Sequence, residues 1–340
     1  MKQNIYGMTT KDLEEYFISI NDKKFRAVQV YEFLYKKRYN NVDEFSNIGN
    51  NIKERLKEDF SFDKIHLVTK QEDEGVKKYL FKLQDNEYIE SVLMYHDYGI
   101  SLCISSQIGC NMGCSFCQSG RLKKVRNLES HEMVEQILLV EEDIKTRITH
   151  VVIMGIGEPF DNYDNLIKFI KIVNNPKGIN LGTRHITVST CGLVDKIKKF
   201  ANEEGQVNLA ISLHAPTDEL RKKIMKIAKV YSIKELMDAI KYYINKTNRR
   251  VTFEYILLEN VNDSDNCAYE LARLLKGMNA YVNLIPYNET DNITYKRTKD
   301  VQIKRFYDIL KKEGITVTKR KEFGSKVDAA CGQLRSNYNK

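Results

Sequence analysis

Three cysteines within eight residues constrain this chain more than any other feature. Cys110, Cys114 and Cys117 follow the spacing C-x3-C-x2-C. Thiolates at this density repel one another, and a soft cation removes that cost because it prefers sulfur ligands. A structural zinc site and an ordinary iron–sulfur cluster each normally take four protein ligands. Three cysteines leave one metal position of a cluster open, so the sequence predicts a metal centre that can bind a further ligand.

Two other interpretations of the cysteine cluster remain open on these residues alone. The three thiols could be free thiols in a loop. A zinc ion could also bind them, if a distant cysteine or histidine completed the set of ligands.

Composition limits the class of protein. The 340 residues suffice for one large domain with an accessory domain. The chain has no long apolar run and a polar N-terminus, so we expect neither a membrane span nor a signal peptide. Seven cysteines, an odd number, indicate a reducing cytoplasm and metal or redox roles. The net charge of +8 permits a nucleic-acid partner without requiring one, and a monomer is the default expectation.

The first 70 or so residues have the apolar spacing of helices. Three helices are predicted, one that follows Thr10, one over Ala27–Tyr35 and one over Ile48–Phe60. Basic residues are interleaved with them, and these indicate either a solvated face or an RNA-docking surface. They are Lys23, Lys24, Arg26, Lys36, Lys37 and Arg38.

The remainder predicts an α/β fold. Alternating apolar residues over 77–105 predict a β-hairpin and a further strand, after which β-branched runs alternate with helical patterns. That alternation indicates parallel strands in a partial (β/α)6 barrel, whose chemistry gathers at the carboxyl ends of the strands. We expect a helical accessory domain at 1–75, the hairpin at 76–99, the barrel at 100–320 and a tail at 321–340.

Candidate ligand-binding residues follow the predicted strands. In Gly155-Ile156-Gly157-Glu158-Pro159, glycines expose backbone edges and a carboxylate is available for an ammonium group. Ser189 and the run Ser212-Leu213-His214 end the next two strands. Asn288 offers an amide suited to an adenine edge. Cys103 and Cys331 are isolated thiols that could cycle between dithiol and disulfide.

Together these motifs resemble the RlmN/Cfr family of dual-specificity RNA methyltransferases, and the cysteine spacing resembles the radical S-adenosylmethionine (SAM) superfamily to which that family belongs. The similarity covers nearly the whole chain and is closest to the RlmN branch. It is carried by residues 102–110, the cysteine loop, and residues 155–159, 212–216, 283–288 and 328–334.

The resemblance implies a role for each candidate residue. Cys331 takes a methyl group, a SAM-derived radical activates it, and the resulting methylene radical adds to carbon 2 of an adenine in 23S rRNA, and in some members in tRNA. Cys103 then forms a disulfide with Cys331, and Glu90 accepts a proton. Flavodoxin or ferredoxin is the kind of electron donor implied. Cys110, Cys114 and Cys117 bind a [4Fe–4S] cluster, and the residues implied to contact SAM are Gly157, Glu158, Ser189, Ser212, Leu213, His214 and Asn288.

Other functions compete with this one. A Cfr-like enzyme would methylate carbon 8 of the adenine and confer antibiotic resistance; Pro159 favours the carbon-2 branch, whereas Phe323-Gly324 also occurs in Cfr-like tails. A zinc-stabilised RNA-binding protein would need no catalysis. A glycyl-radical activating enzyme would share the cluster but have no use for Cys331. The sequence Lys226-Ile227-Ala228 departs from the family pattern.

Overall fold

The computed structural model describes residues 2–290 and 293–320. The front of the chain contains the three predicted helices. The first begins with a reciprocal cap, in which the Thr9 hydroxyl accepts from the Asp12 backbone N–H and the Asp12 carboxylate accepts from that of Thr9. The elements here are β1 (Gln3–Asn4), α1 (Thr10–Ser19), α2 (Phe25–Tyr35), α3 (Asn50–Asp59) and β2 (Phe60–Ser61), and β1 pairs in parallel with β2.

An antiparallel unit follows, and it begins earlier than the sequence predicted. Its strands are β3 (His66–Asp73), β4 (Val76–Lys82), β5 (Tyr88–His96) and β6 (Gly99–Cys103). Helical structure was expected up to about residue 70, but β3 occupies that stretch. Its side chains are almost all exposed, so it has no buried face to give an alternating pattern.

The rest of the described chain alternates strands with helices, as predicted. The helices alternate with the barrel strands β9–β14. The elements are β7 (Gln107–Ile108), β8 (Arg126–Asn127), α4 (Ser130–Ile144), β9 (His150–Ile153), α5 (Tyr163–Asn174), β10 (Ile186–Thr190), α6 (Val194–Glu203), β11 (Asn208–Ser212), α7 (Asp218–Ile224), α8 (Ile233–Thr247), β12 (Val251–Leu257), α9 (Asp265–Leu275), β13 (Ala280–Pro286), α10 (Asp300–Lys312) and β14 (Val317–Lys319).

One ten-stranded sheet joins the two parts, in the order β14-β13-β12-β11-β10-β9-β6-β5-β4-β3. Strand β6 pairs antiparallel with β5 and parallel with β9, so the sheet changes type at β6. Strands β5, β6 and β9–β14 line a cavity of about 1010 Å³ with polar side chains such as Thr252, Glu254 and Asn283. The α/β class and the predicted partial barrel are thereby confirmed.

Alternation along the strands separates the cavity from the core. On β12, Phe253 and Tyr255 are completely buried in the apolar layer between sheet and helices, whereas Glu254 faces the cavity. The front helices join the same core, because the Tyr31 hydroxyl donates to the Ile172 carbonyl of α5 at 2.8 Å. Within the part of the chain that the structure describes, no helix is long and apolar enough to cross a membrane.

Candidate active site

The cysteine loop is closed at its base by a small sheet. Strands β7 and β8 pair antiparallel on either side of residues 109–125. Inside this pair, the Cys110 N–H donates to the Leu122 carbonyl at 3.0 Å, and the Val125 N–H donates to the Ile108 carbonyl at 2.8 Å. These bonds fix the conformation of the loop, which lies at the carboxyl edge of the parallel strands.

A cavity of about 150 Å³ brings this loop together with the predicted strand ends. The loop supplies three thiols, and the ends of β9, β10 and β11 supply a carboxylate, hydroxyls and an imidazole. The sequence-predicted residues that line it are Cys110, Cys114, Cys117, Gly157, Glu158, Ser189, Ser212 and His214.

Other predicted residues lie elsewhere. Leu213 is completely buried in the main core, and Asn288 is half-buried outside the lining of this cavity. Glu90 and Cys103 lie on β5 and β6 rather than in the cavity wall, although Met154 contacts the apolar cluster around Cys103 and also lines the cavity. Cys331 lies outside the described residues.

Glu158 is held rigidly in this cavity. Its carboxylate accepts the Phe160 N–H at 3.0 Å and the Cys191 N–H at 2.7 Å, and burial raises its pKa. Gly157 has a φ of +112°, and a Cβ built there would lie 2.6 Å from the Gln107 Cβ. The turn therefore needs glycine, and its backbone packs against Gln107 of the small sheet, whose side-chain Oε1 accepts the Glu158 N–H at 2.9 Å.

His214 contributes a neutral ring. Burial, with a smaller effect of the Arg221 charge, lowers the pKa of His214 to about 3. Its Nδ1 accepts the Ile256 N–H at 3.1 Å, and Phe116 of the cysteine loop packs edge-to-face against the ring at 4.9 Å. His214 thus connects β12 to the loop as an uncharged hydrogen-bonding group.

Arg221, at the centre of α7, was missed by the sequence reasoning. It is completely buried and donates to the carbonyls of Cys191 at 2.6 Å and of Leu213 at 3.2 Å. The run Arg221-Lys222-Lys223 looks like a solvated face, so no sequence signal marks the first cation as internal. Cys191 is a second unpredicted neighbour, a buried thiol in the wall of the cavity.

Comparisons with known proteins decide the family. The radical SAM superfamily profile matches residues 104–272, and the profile of the ribosomal RNA large subunit methyltransferase N-terminal domain matches residues 3–61. A probable dual-specificity RNA methyltransferase RlmN from Listeria monocytogenes is 51% identical over 348 aligned positions, which cover 100% of this chain and 95% of that protein. The chain belongs to the RlmN family of radical SAM RNA methyltransferases.

Further relatives agree with this assignment. A protein of the same name from Acholeplasma laidlawii is 52% identical over 333 positions, which cover 98% of each chain. The crystal structure of a radical SAM methyltransferase from Sphaerobacter thermophilus superimposes with a TM-score of 0.93 at 39% identity, over 98% of this chain and 99% of that one. Membership of the RlmN family sets aside the zinc-stabilised RNA-binding protein and the glycyl-radical activating enzyme.

Radical SAM enzymes use a [4Fe–4S] cluster and SAM, and the donors in the cavity fit both. Burial raises the pKa of the Cys110 thiol to about 12, so the thiolate forms only with a cation at hand. Among residues 2–290 and 293–320, no three His, Cys, Asp or Glu side chains converge as a single metal ion requires. A [4Fe–4S] cluster instead offers each cysteine its own iron. The adjoining carboxylate, hydroxyls and neutral imidazole suit a polar cofactor such as SAM.

The atypical Lys226–Ala228 stretch packs against the cluster loop. It belongs to a short 3₁₀ helix, Lys226–Lys229, and the preceding Met225 lines the cavity. A Cβ built at Gly113 would lie 2.7 Å from the Lys226 Cδ, so the aliphatic part of this side chain covers the loop backbone. The departure from the family pattern therefore lies directly on the loop that carries the cluster cysteines.

Lys78, Glu90 and Cys103 share one face of the sheet. Lys78 and Cys103 are the register partners of Val92 on either side, and Glu90 lies two residues from Val92 on β5. The Lys78 ammonium lies 3.0 Å from a Glu90 carboxylate oxygen, with both side chains at most 10% exposed. Glu90 and Cys103, to which the family resemblance assigns the roles of proton acceptor and reactive thiol, are thus both buried on the same face of the sheet.

Proposed function

We propose that this RlmN-family enzyme methylates carbon 2 of an adenine in 23S rRNA, with a tRNA adenine as a second substrate. Carbon 2 is electrophilic and cannot attack a sulfonium methyl group, whereas a carbon radical can add to it. The observation that carries the proposal is the single cavity shared by the three cysteines and the Gly157-Glu158 turn. When bound, the cluster supplies the electron that cleaves SAM to a 5′-deoxyadenosyl radical.

The residues of the cavity bind and orient SAM. Glu158 pairs with its ammonium group, while Ser189 and Ser212 supply hydroxyls from neighbouring strand ends and His214 remains uncharged. Leu213 contributes through its backbone, and Asn288 binds the adenine edge from outside the described cavity wall. Pro159 starts the 3₁₀ helix Pro159–Asn162 directly after Glu158, and it supports the carbon-2 branch over the carbon-8 branch.

Two thiols and a carboxylate complete the chemistry. Cys331 carries the methyl group as a thioether, and its methylene carbon becomes bonded to the adenine. Glu90 accepts the proton that the ring loses. The adduct radical would return one electron to the cluster as this proton leaves. The Cys103 thiolate then attacks the Cys331 sulfur, so that the disulfide forms as the bond between that sulfur and the methylene carbon breaks, and the carbon takes up a proton to become the methyl group of the base. Supporting this, Glu90 and Cys103 are each only 5% exposed and share a sheet face, so neither acts through bulk water.

The remaining elements serve recognition and supply. We propose that residues 1–75 dock RNA through their interleaved basic side chains, with 76–99 as the hairpin, 100–320 as the barrel and 321–340 as the catalytic tail. The target base must leave its stack to enter the site. A flavodoxin or ferredoxin supplies electrons, and the enzyme acts as a cytoplasmic monomer.

The test uses anaerobically reconstituted protein with SAM, a reductant and an unmodified 23S rRNA fragment. The RNA is digested, and methyladenosine isomers are identified by mass spectrometry against standards. We expect 2-methyladenosine from the wild type and from Cys267→Ala, a buried thiol on α9, and none from Cys331→Ala. Formation of 8-methyladenosine would replace the proposal with the Cfr-like reaction. Product formation by Cys331→Ala would refute the methyl-cysteine route.

A further inference from the structure

Arg221 is a buried cation without a counter-ion in the described chain. Its side chain has no solvent exposure, and its hydrogen bonds go to the neutral carbonyls of Cys191, Leu213 and, at 3.5 Å, Ser212. Its Nη1 has no hydrogen-bond partner among the described residues, and the Asp218 carboxylate acts on the guanidinium through its charge without forming an ion pair with it. An internal cation in this condition costs free energy unless an anion compensates for it.

The charge lies where it can act on the cluster ligands. Cys191, whose carbonyl accepts from the guanidinium, packs in one apolar cluster with Cys114 and Cys117. The Ser115 N–H of the cysteine loop also donates at 3.0 Å to the Ile224 carbonyl, which ends the helix that carries Arg221. The carbonyls that hold the guanidinium belong to the ends of β10 and β11, which also line the cluster cavity. Since water is excluded and no described acid forms an ion pair with the guanidinium, its field is only weakly screened there.

We propose that Arg221 is the internal counter-charge of the iron–sulfur cluster and raises its reduction potential. Three thiolate ligands make the total charge of the cluster negative, and reduction by one electron makes it more so. A buried cation nearby stabilises the reduced state more than the oxidised state. This inference rests on the cluster and not on the proposed RNA substrate, so it can fail or stand independently of the methylation product.

The test compares variants that separate charge from shape. Arg221→Met and Arg221→Gln remove the charge, and the glutamine keeps an N–H donor for the Cys191 carbonyl. Arg221→Lys keeps the charge without the planar fork. Arg249→Met is the matched control, because Arg249 also has a buried nitrogen without a partner, but it precedes β12 at the opposite edge of the barrel.

The readout is an EPR-monitored titration with dithionite of reconstituted protein of equal iron content, without SAM or RNA. We expect the charge-removing variants to lower the equilibrium constant for cluster reduction at least tenfold, which is about 59 mV for one electron. Arg221→Lys and Arg249→Met should keep the wild-type potential. Should Arg221→Met fail to fold, Arg221→Gln and Arg221→Lys give the same comparison.

Two results would overturn the inference. One is a wild-type potential in Arg221→Gln or Arg221→Met at full cluster content. The other is an Arg221→Lys potential as low as that of the uncharged variants, which would show that shape and not charge matters. A wild-type protein that holds its cluster but yields no 2-methyladenosine would refute the proposed function and leave this inference about Arg221 untouched.

Discussion

Removal of the Lys78 ammonium should deprive the buried Glu90 carboxylate of its ion-pair partner. Lys78 and Glu90 form an ion pair at 3.0 Å with side-chain exposures of only 10% and 6%. Breaking a buried pair by deleting one partner costs about 3–5 kcal/mol, because the other charge stays buried and loses the attraction of its ion-pair partner. We therefore expect Lys78→Met to lower the free energy of unfolding by about that amount.

The size of the effect can be converted to a melting temperature. An unfolding entropy of about 2.1 cal/mol/K per residue gives roughly 0.7 kcal/mol/K for a cooperative transition of this chain. Lys78→Met should then melt about 4–7 °C below the wild type. The assay is thermal unfolding, followed by circular dichroism, of preparations with equal cluster content.

Two further variants control for other causes. Lys78→Met/Glu90→Leu removes both charges and should recover most of the lost stability, since replacing a buried pair by apolar groups is often neutral. Lys234→Met breaks an exposed pair with Asp238, whose side chains are 85% and 53% exposed, and should shift the melting temperature by less than about 1 °C. If the double variant melts as low as Lys78→Met, the loss of stability does not come from the buried charge of Glu90, and the reasoning fails.

Three other predictions follow from the described contacts. His214 takes up a proton near pH 6.5 in the unfolded chain but only near pH 3 in the folded protein. The free energy of unfolding therefore falls as the pH is lowered from about 6.5 to about 3. Asparagine tolerates the left-handed backbone at this position, so His214→Asn is a suitable variant. Between pH 7 and pH 5, its free energy of unfolding in urea should fall by about 2 kcal/mol less than that of the wild type. Gly157→Ala should weaken SAM binding at least about tenfold in equilibrium dialysis, because its Cβ would clash with Gln107. Tyr31→Phe should lower stability in urea by about 0.5–1.5 kcal/mol, because it removes a buried hydrogen bond and leaves the Ile172 carbonyl with only the 3.4 Å bond from the Asn175 N–H.

Each of these has a contrary outcome. Parallel pH profiles for the wild type and His214→Asn would mean that the ring titrates normally. Wild-type SAM affinity in Gly157→Ala would show that the turn can relax. An unchanged midpoint in Tyr31→Phe would mean that water replaces the hydroxyl at the Ile172 carbonyl.

The sequence revealed the parts of the site that local spacing defines. The C-x3-C-x2-C run and the Gly157-Glu158 turn need only short-range geometry, and the structure brings them into one cavity. The ion pair of Lys78 with Glu90 depends on the register between two strands, which no local pattern reveals. Arg221 was hidden for a similar reason, because only tertiary packing distinguishes it from the exposed lysines that follow.

The fold showed the same limit. The barrel strands are buried and apolar, so the sequence predicted parallel strands that alternate with helices, and the structure confirms that arrangement. Strand β3 is exposed and rich in charged residues, so its composition does not favour a strand. It is extended because it pairs antiparallel with β4. Propensity therefore failed where a strand depends on a neighbour for its hydrogen bonds.

The change of sheet type at β6 limits how this protein can be divided. Strand β6, which contains Cys103, is hydrogen-bonded to β5 on one side and to β9 on the other. A cut near residue 99 would therefore remove β5 and expose one edge of β6. The hairpin is therefore not a detachable module, and a truncated barrel should aggregate through that edge. Chimeras between relatives should be joined between β2 and β3, where residues 62–65 connect two elements that do not pair with each other.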